Sequence, residues 1–176
     1  GDMANVTFMI KPEDPYYPCT VVDTSHQSTC WLLQTSLILF LNNKAGMAHD
    51  ANFEAATGSC KGAPAPHPDT CYRSLGRDAS AYANSQCAVR ANACYVEAVG
   101  KWCGYADANG RALCTKGAVA EVVLNFANPE PGLEMCKLAV AVDKAACYEE
   151  LGVQASYMVT TDVLEALCTR ADAGHE

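Results

Sequence analysis

The chain has 176 residues, half of them hydrophobic, so it can bury one sizeable core and lacks the composition of a disordered protein. Its net charge of −8 argues against a nucleic-acid partner, which requires a basic surface, and against attraction to anionic membranes. The longest apolar run, Leu37 to Leu41, is far shorter than the ~20 residues that span a bilayer, so we expect no membrane insertion by this segment.

The N-terminal part of the chain predicts an extended arm over residues 1–27. A β-prone segment, Val6 to Ile10, precedes the segment KPEDPYYP, whose three prolines disfavour a helix. Tyr16 and Tyr17 place two aromatic rings in this arm, and we predict them as a contact surface because aromatic residues dominate binding hot spots. Residues 28–176 are predicted to form a single disulfide-rich helical domain.

Helical periodicity dominates this second part. Ser28 is the predicted N-cap of a first helix that is apolar nearly all round and is therefore expected at the centre of the core. Gly76 is expected to end the helix that starts at Asp69, and the segment Tyr157 to Thr161 is the remaining strand signal. The predicted helices cover residues 29–43, 47–57, 69–76, 78–102, 111–126, 133–151 and 163–171.

Eleven cysteines without a CxxC motif indicate a disulfide framework, in a protein that is secreted or lies on the extracellular face of the cell surface. The sequon at Asn5 predicts a glycan there. Because eleven is odd, one thiol stays unpaired, and we expect it to be Cys168, available to link two chains into a dimer. The cysteines predicted to form disulfides are Cys19, Cys30, Cys60, Cys71, Cys87, Cys94, Cys103, Cys114, Cys136 and Cys147.

The predicted helices restrict which cysteines can pair. Cys136 and Cys147 fall on one predicted helix, about 16 Å apart at the helical rise of ~1.5 Å per residue. A disulfide requires Cα atoms within about 7 Å, so these two are expected to pair elsewhere, and the same holds for Cys87 and Cys94. A predicted turn separates Cys103 from Cys114, so that pair can close a helical hairpin, and Cys60 with Cys71 can close a proline-rich loop.

A degenerate repeat connects two of these cysteine pairs. Both follow the pattern Cys-x6-His-x3-Cys, with an aromatic residue next, and the spacing of 11 recurs at Cys103/Cys114 and Cys136/Cys147. Such a pattern favours a repeated disulfide loop, although six ligands with matched spacing also suit zinc or copper. The ligands of this alternative metal site are Cys19, His26, Cys30, Cys60, His67 and Cys71.

The segment HDANFEAA, starting at His49 and Asp50, resembles the active-site helix of secreted phospholipases A2. In that family a His-Asp pair is followed three residues later by an aromatic residue, the position that Phe53 takes here. The resemblance implies that His49 is the general base for a water molecule and that Asp50 holds calcium. It covers about eight residues of the chain.

These patterns predict an all-α protein, a disulfide-stapled helical bundle of degenerate helical-hairpin units with an extended N-terminal arm. We predict a non-catalytic binding or adhesion module for a protein or glycan ligand, without a cofactor, since a rigid surface loses little entropy on binding. One alternative is a carrier of an apolar small molecule or lipid between helices, beside the apolar stretch from Trp31 to Leu41. The other is a calcium-dependent lipid hydrolase that uses His49 and Asp50.

Overall fold

Nine helices and no strand are found in residues 11, 13–87, 92–172 and 174, the part of the chain that this computed structural model describes. The predicted all-α class is therefore confirmed, whereas the β-prone segment at 6–10 and the sequon at Asn5 lie outside the described residues. The helices are α1 (Thr24–Trp31), α2 (Gln34–Lys44), α3 (His49–Lys61), α4 (Pro68–Gln86), α5 (Ala93–Cys103), α6 (Ala108–Phe126), α7 (Glu130–Leu138), α8 (Ala141–Ser156) and α9 (Thr161–Cys168).

Helices α4 and α6, each 19 residues long, form the centre of the bundle. They cross where two glycines replace side chains: a Cβ atom on Gly76 would overlap the carbonyl group of Cys114, and one on Gly117 would overlap that of Arg73. The two backbones therefore touch, and the helices run parallel, because Asn109 at the start of α6 donates to Asp69 at the start of α4. Gly76 lies inside α4, so its prediction as a helix end is wrong.

The remaining helices pack on this central pair. Helices α1, α2, α3 and α5 contact α4, whereas α5, α7 and α8 contact α6, and α9 contacts α8. We call α1–α3 with α4 the N-terminal region, and α7–α9 with α6 the C-terminal region. The crossing of α4 and α6 joins the two regions.

The predicted helix over residues 29–43 is two helices, because the chain turns at Leu32 and Leu33 between α1 and α2. Helix α1 also starts earlier than predicted: Asp23, not Ser28, is its N-cap and accepts a hydrogen bond from the first turn of the helix. The turn changes which apolar side chains reach the core.

Burial in this apolar stretch is one-sided. Ile38 and Leu39 of α2 are buried, whereas Leu32, Leu33 and Phe40 are exposed. The expectation that this helix fills the centre of the core is therefore wrong, because the α4–α6 crossing occupies that place.

Five disulfides brace the bundle, and four of them join cysteines that are 11 residues apart in sequence. The fifth joins cysteines 7 residues apart. Cys168, at the end of α9, is the free cysteine. The pairs are Cys19–Cys30, Cys60–Cys71, Cys87–Cys94, Cys103–Cys114 and Cys136–Cys147.

The expectation that Cys87 cannot pair with Cys94, nor Cys136 with Cys147, is wrong. The sequence predicts one continuous helix through each pair, but α4 ends just before Cys87, and the chain is extended at residues 139–140 between α7 and α8. The chain therefore reverses between the two cysteines. Their Cα atoms are 6.0 Å apart in the first pair and 5.5 Å in the second, within the range for disulfides.

The ends of the chain differ from expectation in two places. Within the predicted N-terminal arm, residues 15–22 form turns and a bend, so an extended conformation is not confirmed there, and residues 24–27 belong to helix α1. The segment Tyr157 to Thr161 is not a strand. It begins at the C-cap of α8, continues through a turn and ends at the first residue of α9. None of the described helices combines the length and apolar character needed to span a bilayer.

Candidate functional site

An open apolar groove of about 320 Å³ lies where the α1–α2 turn meets α4 and α6. Its volume falls within the roughly 300–1,000 Å³ typical of small-molecule sites. Ten residues from three separate parts of the chain line it: Thr29, Leu32, Leu33, Arg73, Ser74, Arg77, Gly117, Ala120, Glu121 and Leu124.

Exposed leucines form the walls of the groove. Leu32 and Leu33 in the α1–α2 turn are 44% and 55% exposed, and Leu124 on α6 is 57% exposed. A single exposed leucine is common on protein surfaces, but three around one concave site form an apolar patch that water covers unfavourably. The walls therefore suit an apolar ligand.

Small residues form the floor. Gly117 lies against the backbone of Arg73 at the helix crossing, and Ala120 follows on the next turn of α6. Because the floor is largely backbone held by direct helix contact, we expect the groove to keep its shape without a ligand. Gly117, whose missing side chain lets α4 and α6 touch, therefore also forms part of the groove floor.

Two arginines, one helical turn apart on α4, line the groove. Nη2 of Arg73 donates to Oε2 of Glu150 on α8 at 3.0 Å, and Glu150 is buried. Nη2 of Arg77 donates to Oδ1 of the buried Asp78 at 2.7 Å. Buried carboxylates therefore fix both guanidinium groups before any ligand arrives.

The carboxylate of Asp78 is held in turn by hydroxyl groups from α2. Thr35 donates to its Oδ2, and Ser36 donates to its Oδ1 at 2.8 Å. The hydroxyl of Ser74, which lines the groove, shares a hydrogen bond with Thr35. This buried network satisfies the charge of Asp78 and ties α2 to α4 beneath the groove.

The predicted contact residues Tyr16 and Tyr17 do not line this groove. Tyr16 is half-buried: its hydroxyl donates to the carbonyl of Ser59 at 3.0 Å, and its ring lies 5.7 Å from that of Trp31. Burial raises the pKa of Tyr16 above its ordinary value. Lys11 places its Nζ 4.4 Å from the ring centre of Tyr17.

The structure places His49 and Asp50 at the start of α3, on the surface. Oδ2 of Asp50 accepts from Nζ of Lys101 at 2.6 Å, and its Oδ1 accepts from Nε1 of Trp102 at 2.9 Å. These bonds lower the pKa of Asp50, that from Lys101 having the larger effect. A lysine thus lies where the phospholipase resemblance implies calcium, and the ring of His49 packs edge-on against Tyr82.

The alternative metal site is not assembled. Its four cysteines form two disulfides, Cys19–Cys30 and Cys60–Cys71, and so have no thiolate to offer. His67 stacks on Trp31 with ring centres 5.0 Å apart, while His26 is exposed on α1. Across the described part of the chain, no cluster of three or more His, Cys, Asp or Glu side chains is suited to a metal ion.

The sequence does not predict the groove residues as a site, although it offers the apolar stretch from Trp31 to Leu41 as the wall of a cavity. One signal was visible: Arg73 and Arg77 stand four residues apart, on the same face of a helix. The other residues that line the groove stand about 40 positions before or after these arginines in the sequence, so no local sequence pattern reveals that they meet.

Comparison of the chain with protein-family models, with curated proteins and with solved structures found no match.

Proposed function

We propose that this chain is a non-catalytic extracellular binding module that holds the apolar part of its ligand in the groove between the α1–α2 turn, α4 and α6. The observation that carries the proposal is the groove itself, a concave site of about 320 Å³ with exposed leucine walls and a small-residue floor. The five disulfides fit a protein of the secretory route.

The disulfide pattern supports the predicted construction from degenerate helical hairpins. Helices α3 and α4, α5 and α6, and α7 and α8 are three successive pairs, each closed by a bridge between cysteines 11 residues apart. Bridges of this kind stiffen the scaffold, and a stiff scaffold loses less entropy when a ligand binds.

Among the predicted ligand classes, this groove favours the apolar small molecule. A glycan requires many hydrogen-bonding groups, whereas the walls here are leucine side chains. Recognition of a protein through Tyr16 and Tyr17 stays a prediction, and Tyr16 already uses its hydroxyl within the chain.

The proposal is tested with N-phenyl-1-naphthylamine, an uncharged probe that fluoresces in apolar sites. We expect saturable binding of one probe per chain. Ala120→Phe fills the floor and Leu124→Gln makes a wall polar, so each should weaken binding about fivefold or more. Absence of saturable binding by the folded protein would overturn the proposal.

Two matched substitutions away from the groove serve as controls. Leu138→Gln changes another leucine, 49% exposed, at the end of α7. Ala145→Phe enlarges an exposed alanine on α8. Both variants should bind the probe as the unaltered protein does, and equal losses in the control and groove variants would show that the probe binds elsewhere.

A further inference from the structure

We infer that the groove takes a linear aliphatic chain of about nine carbons, and that it recognises the chain without a charged head group. This inference rests on the proposed function and adds the chemical class and the length of the ligand. It follows from the length of the lining face on α6 and from the arrangement of the charged side chains beside it.

One face of α6 sets the length of the groove. The lining residues on this helix follow at steps of three or four positions and so lie in one row: Gly117, Ala120, Glu121 and Leu124. The row spans about 10.5 Å from its first to its last residue, at the helical rise of ~1.5 Å per residue. An extended alkyl chain advances roughly 1.25 Å per carbon, given a C–C bond of about 1.5 Å, so about nine carbons match this span.

Two opposite charges lie level with each other near the middle of the groove. Helices α4 and α6 run parallel, and Gly117 lies against Arg73. One helical turn further along both helices, Arg77 is therefore level with Glu121. Leu124 lies almost another turn beyond this pair, so the groove ends there on an apolar side chain.

The charges at the groove are matched within the chain. Glu150 accepts from Arg73, and Asp78 accepts from Arg77, in both cases through a buried carboxylate. The third charged residue of the lining, Glu121, lies level with Arg77. A charged head group would therefore lose its hydration in the groove without meeting a charge that lacks a neighbour of opposite sign.

The rest of the lining is uncharged and largely apolar. Its leucine walls and small-residue floor gain contact with methylene groups, which leave water when the chain binds. Full burial of one methylene group would tighten binding about fourfold. Because the groove is open on one side, we expect about two- to threefold for each carbon.

The test measures displacement of N-phenyl-1-naphthylamine at pH 7.5 by a series of 1-alkanols from hexanol to dodecanol, each below its solubility limit. We expect the dissociation constant to fall about two- to threefold per added carbon up to about nine carbons, and then to level off because further carbons extend past Leu124 into water. Decanoate and decyltrimethylammonium, which carry a chain of similar length on a charged head, should bind no more tightly than decanol.

The variant Leu124→Gln shortens the apolar row. It makes the last position polar and leaves the span from Gly117 to Glu121, about 6 Å, which matches about six carbons. Decanol binding should weaken about fivefold or more and hexanol binding less than about twofold, so the series should level off near six carbons. Leu138→Gln on α7 is the matched control and should change neither dissociation constant.

The outcomes separate the inference from the proposed function. If the affinity keeps rising through dodecanol, or Leu124→Gln weakens hexanol and decanol equally, the groove binds apolar ligands but the inferred length is wrong. Tighter binding of either charged probe than of decanol would overturn recognition without a charged head. If the fluorophore binds and no alkanol displaces it, the aliphatic class is wrong, whereas a fluorophore that does not bind at all removes the proposed function as well.

Discussion

The N-terminal and C-terminal regions pack against the same central crossing, but different side chains hold them there. In the N-terminal region Phe53 of α3 stacks on Trp102 of the neighbouring helix α5 with ring centres 4.3 Å apart, and Tyr82 of α4 meets the edge of the Phe53 ring at 5.5 Å. Trp31 of α1 stacks on His67. Aromatic contacts dominate this half of the molecule.

Ion pairs between helices dominate the other half. Arg111 of α6 binds Asp143 of α8 through two bonds of 2.6 and 2.7 Å, and Lys116 binds Glu149 at 2.6 Å. After α9, the two terminal nitrogens of Arg170 each lie 2.7 Å from a carboxylate oxygen of Glu130 on α7. Aromatic contacts respond little to salt, whereas exposed ion pairs weaken as salt rises, so the two regions should be weakened by different conditions.

The largest loss of stability is expected from a substitution at the α4–α6 crossing, which both regions share. Gly76→Ala places a methyl group on the carbonyl of Cys114, and we expect a loss of about 3 kcal/mol or more in the free energy of unfolding. Chemical denaturation measures it. Gly58→Ala in α3 is the control, since no atom lies within 4 Å of the added methyl group. That change should stabilise the fold by about 0.5–1 kcal/mol. Equal stability of the two variants would show that the helices do not touch at Gly76.

The next largest loss of stability is expected from breaking an ion pair of the C-terminal region. Asp143→Asn leaves Arg111 without its buried counter-charge, and we expect a loss of about 2–3 kcal/mol in urea unfolding. The bond to Asp143 also raises the pKa of Arg111, so the arginine stays charged. Glu149→Gln is the control, because the side chain of Glu149 is 65% exposed and its pair should contribute at most about 1 kcal/mol. A loss as small as that of the control would place the Arg111 pair among ordinary surface pairs.

A smaller effect is specific to the N-terminal region. Phe53→Leu keeps an apolar side chain but removes the stack on Trp102, and we expect a loss of about 1–2 kcal/mol. The loss should be the same at low salt and in 1 M sodium chloride, whereas the smaller loss of Glu149→Gln, whose carboxylate is exposed, should shrink with salt. A salt-dependent loss for Phe53→Leu would contradict the division between the two regions.

The smallest expected effect is the dependence of stability on pH through the ion pair of Glu130 with Arg170. Hydrogen bonds from Arg170 lower the pKa of Glu130 below its ordinary value of 4.5. The folded state therefore binds this proton less tightly than the unfolded state, so the pair stabilises the fold above about pH 4.5 and this is lost as pH falls through the folded pKa. Because Glu130 is half exposed, solvent screening keeps the contribution below about 1 kcal/mol.

Glu130→Gln isolates that contribution. The difference in stability between this variant and the unaltered protein should be largest near neutral pH and should close below pH 4, as followed by urea denaturation. A difference that persists in acid would assign the effect to packing of the side chain, not to its charge.

The class of fold could be predicted from the sequence because its two determinants are local. Helical periodicity and the density of cysteines are visible in short windows, and they indicate a disulfide-bonded helical bundle. The helix breaks were harder to find: between α7 and α8 the chain reads Ala139-Val140, without glycine or proline. Helix packing and the bridge at Cys136 override the helical preference there, so the error in pairing followed from the error in the break.

The groove could not be predicted because tertiary contact creates it. Gly76 and Gly117 look like weak points of helices in the sequence, whereas in the fold they allow two backbones to touch. Leu32 and Leu33 look like core residues, since they belong to an apolar run, and only the turn between α1 and α2 exposes them. A pattern in one segment cannot show which other segment it will face.

The order of the disulfides has a consequence for how the chain matures. Every bonded cysteine is joined to the next cysteine along the chain, so no bridge encloses or interleaves with another. For a chain that enters an oxidising compartment as it is synthesised, as the proposed function requires, each crosslink can close as soon as its second cysteine emerges, before later thiols compete for it. The native connectivity is then also the one that the order of emergence favours, and little isomerase-driven reshuffling is needed to reach it.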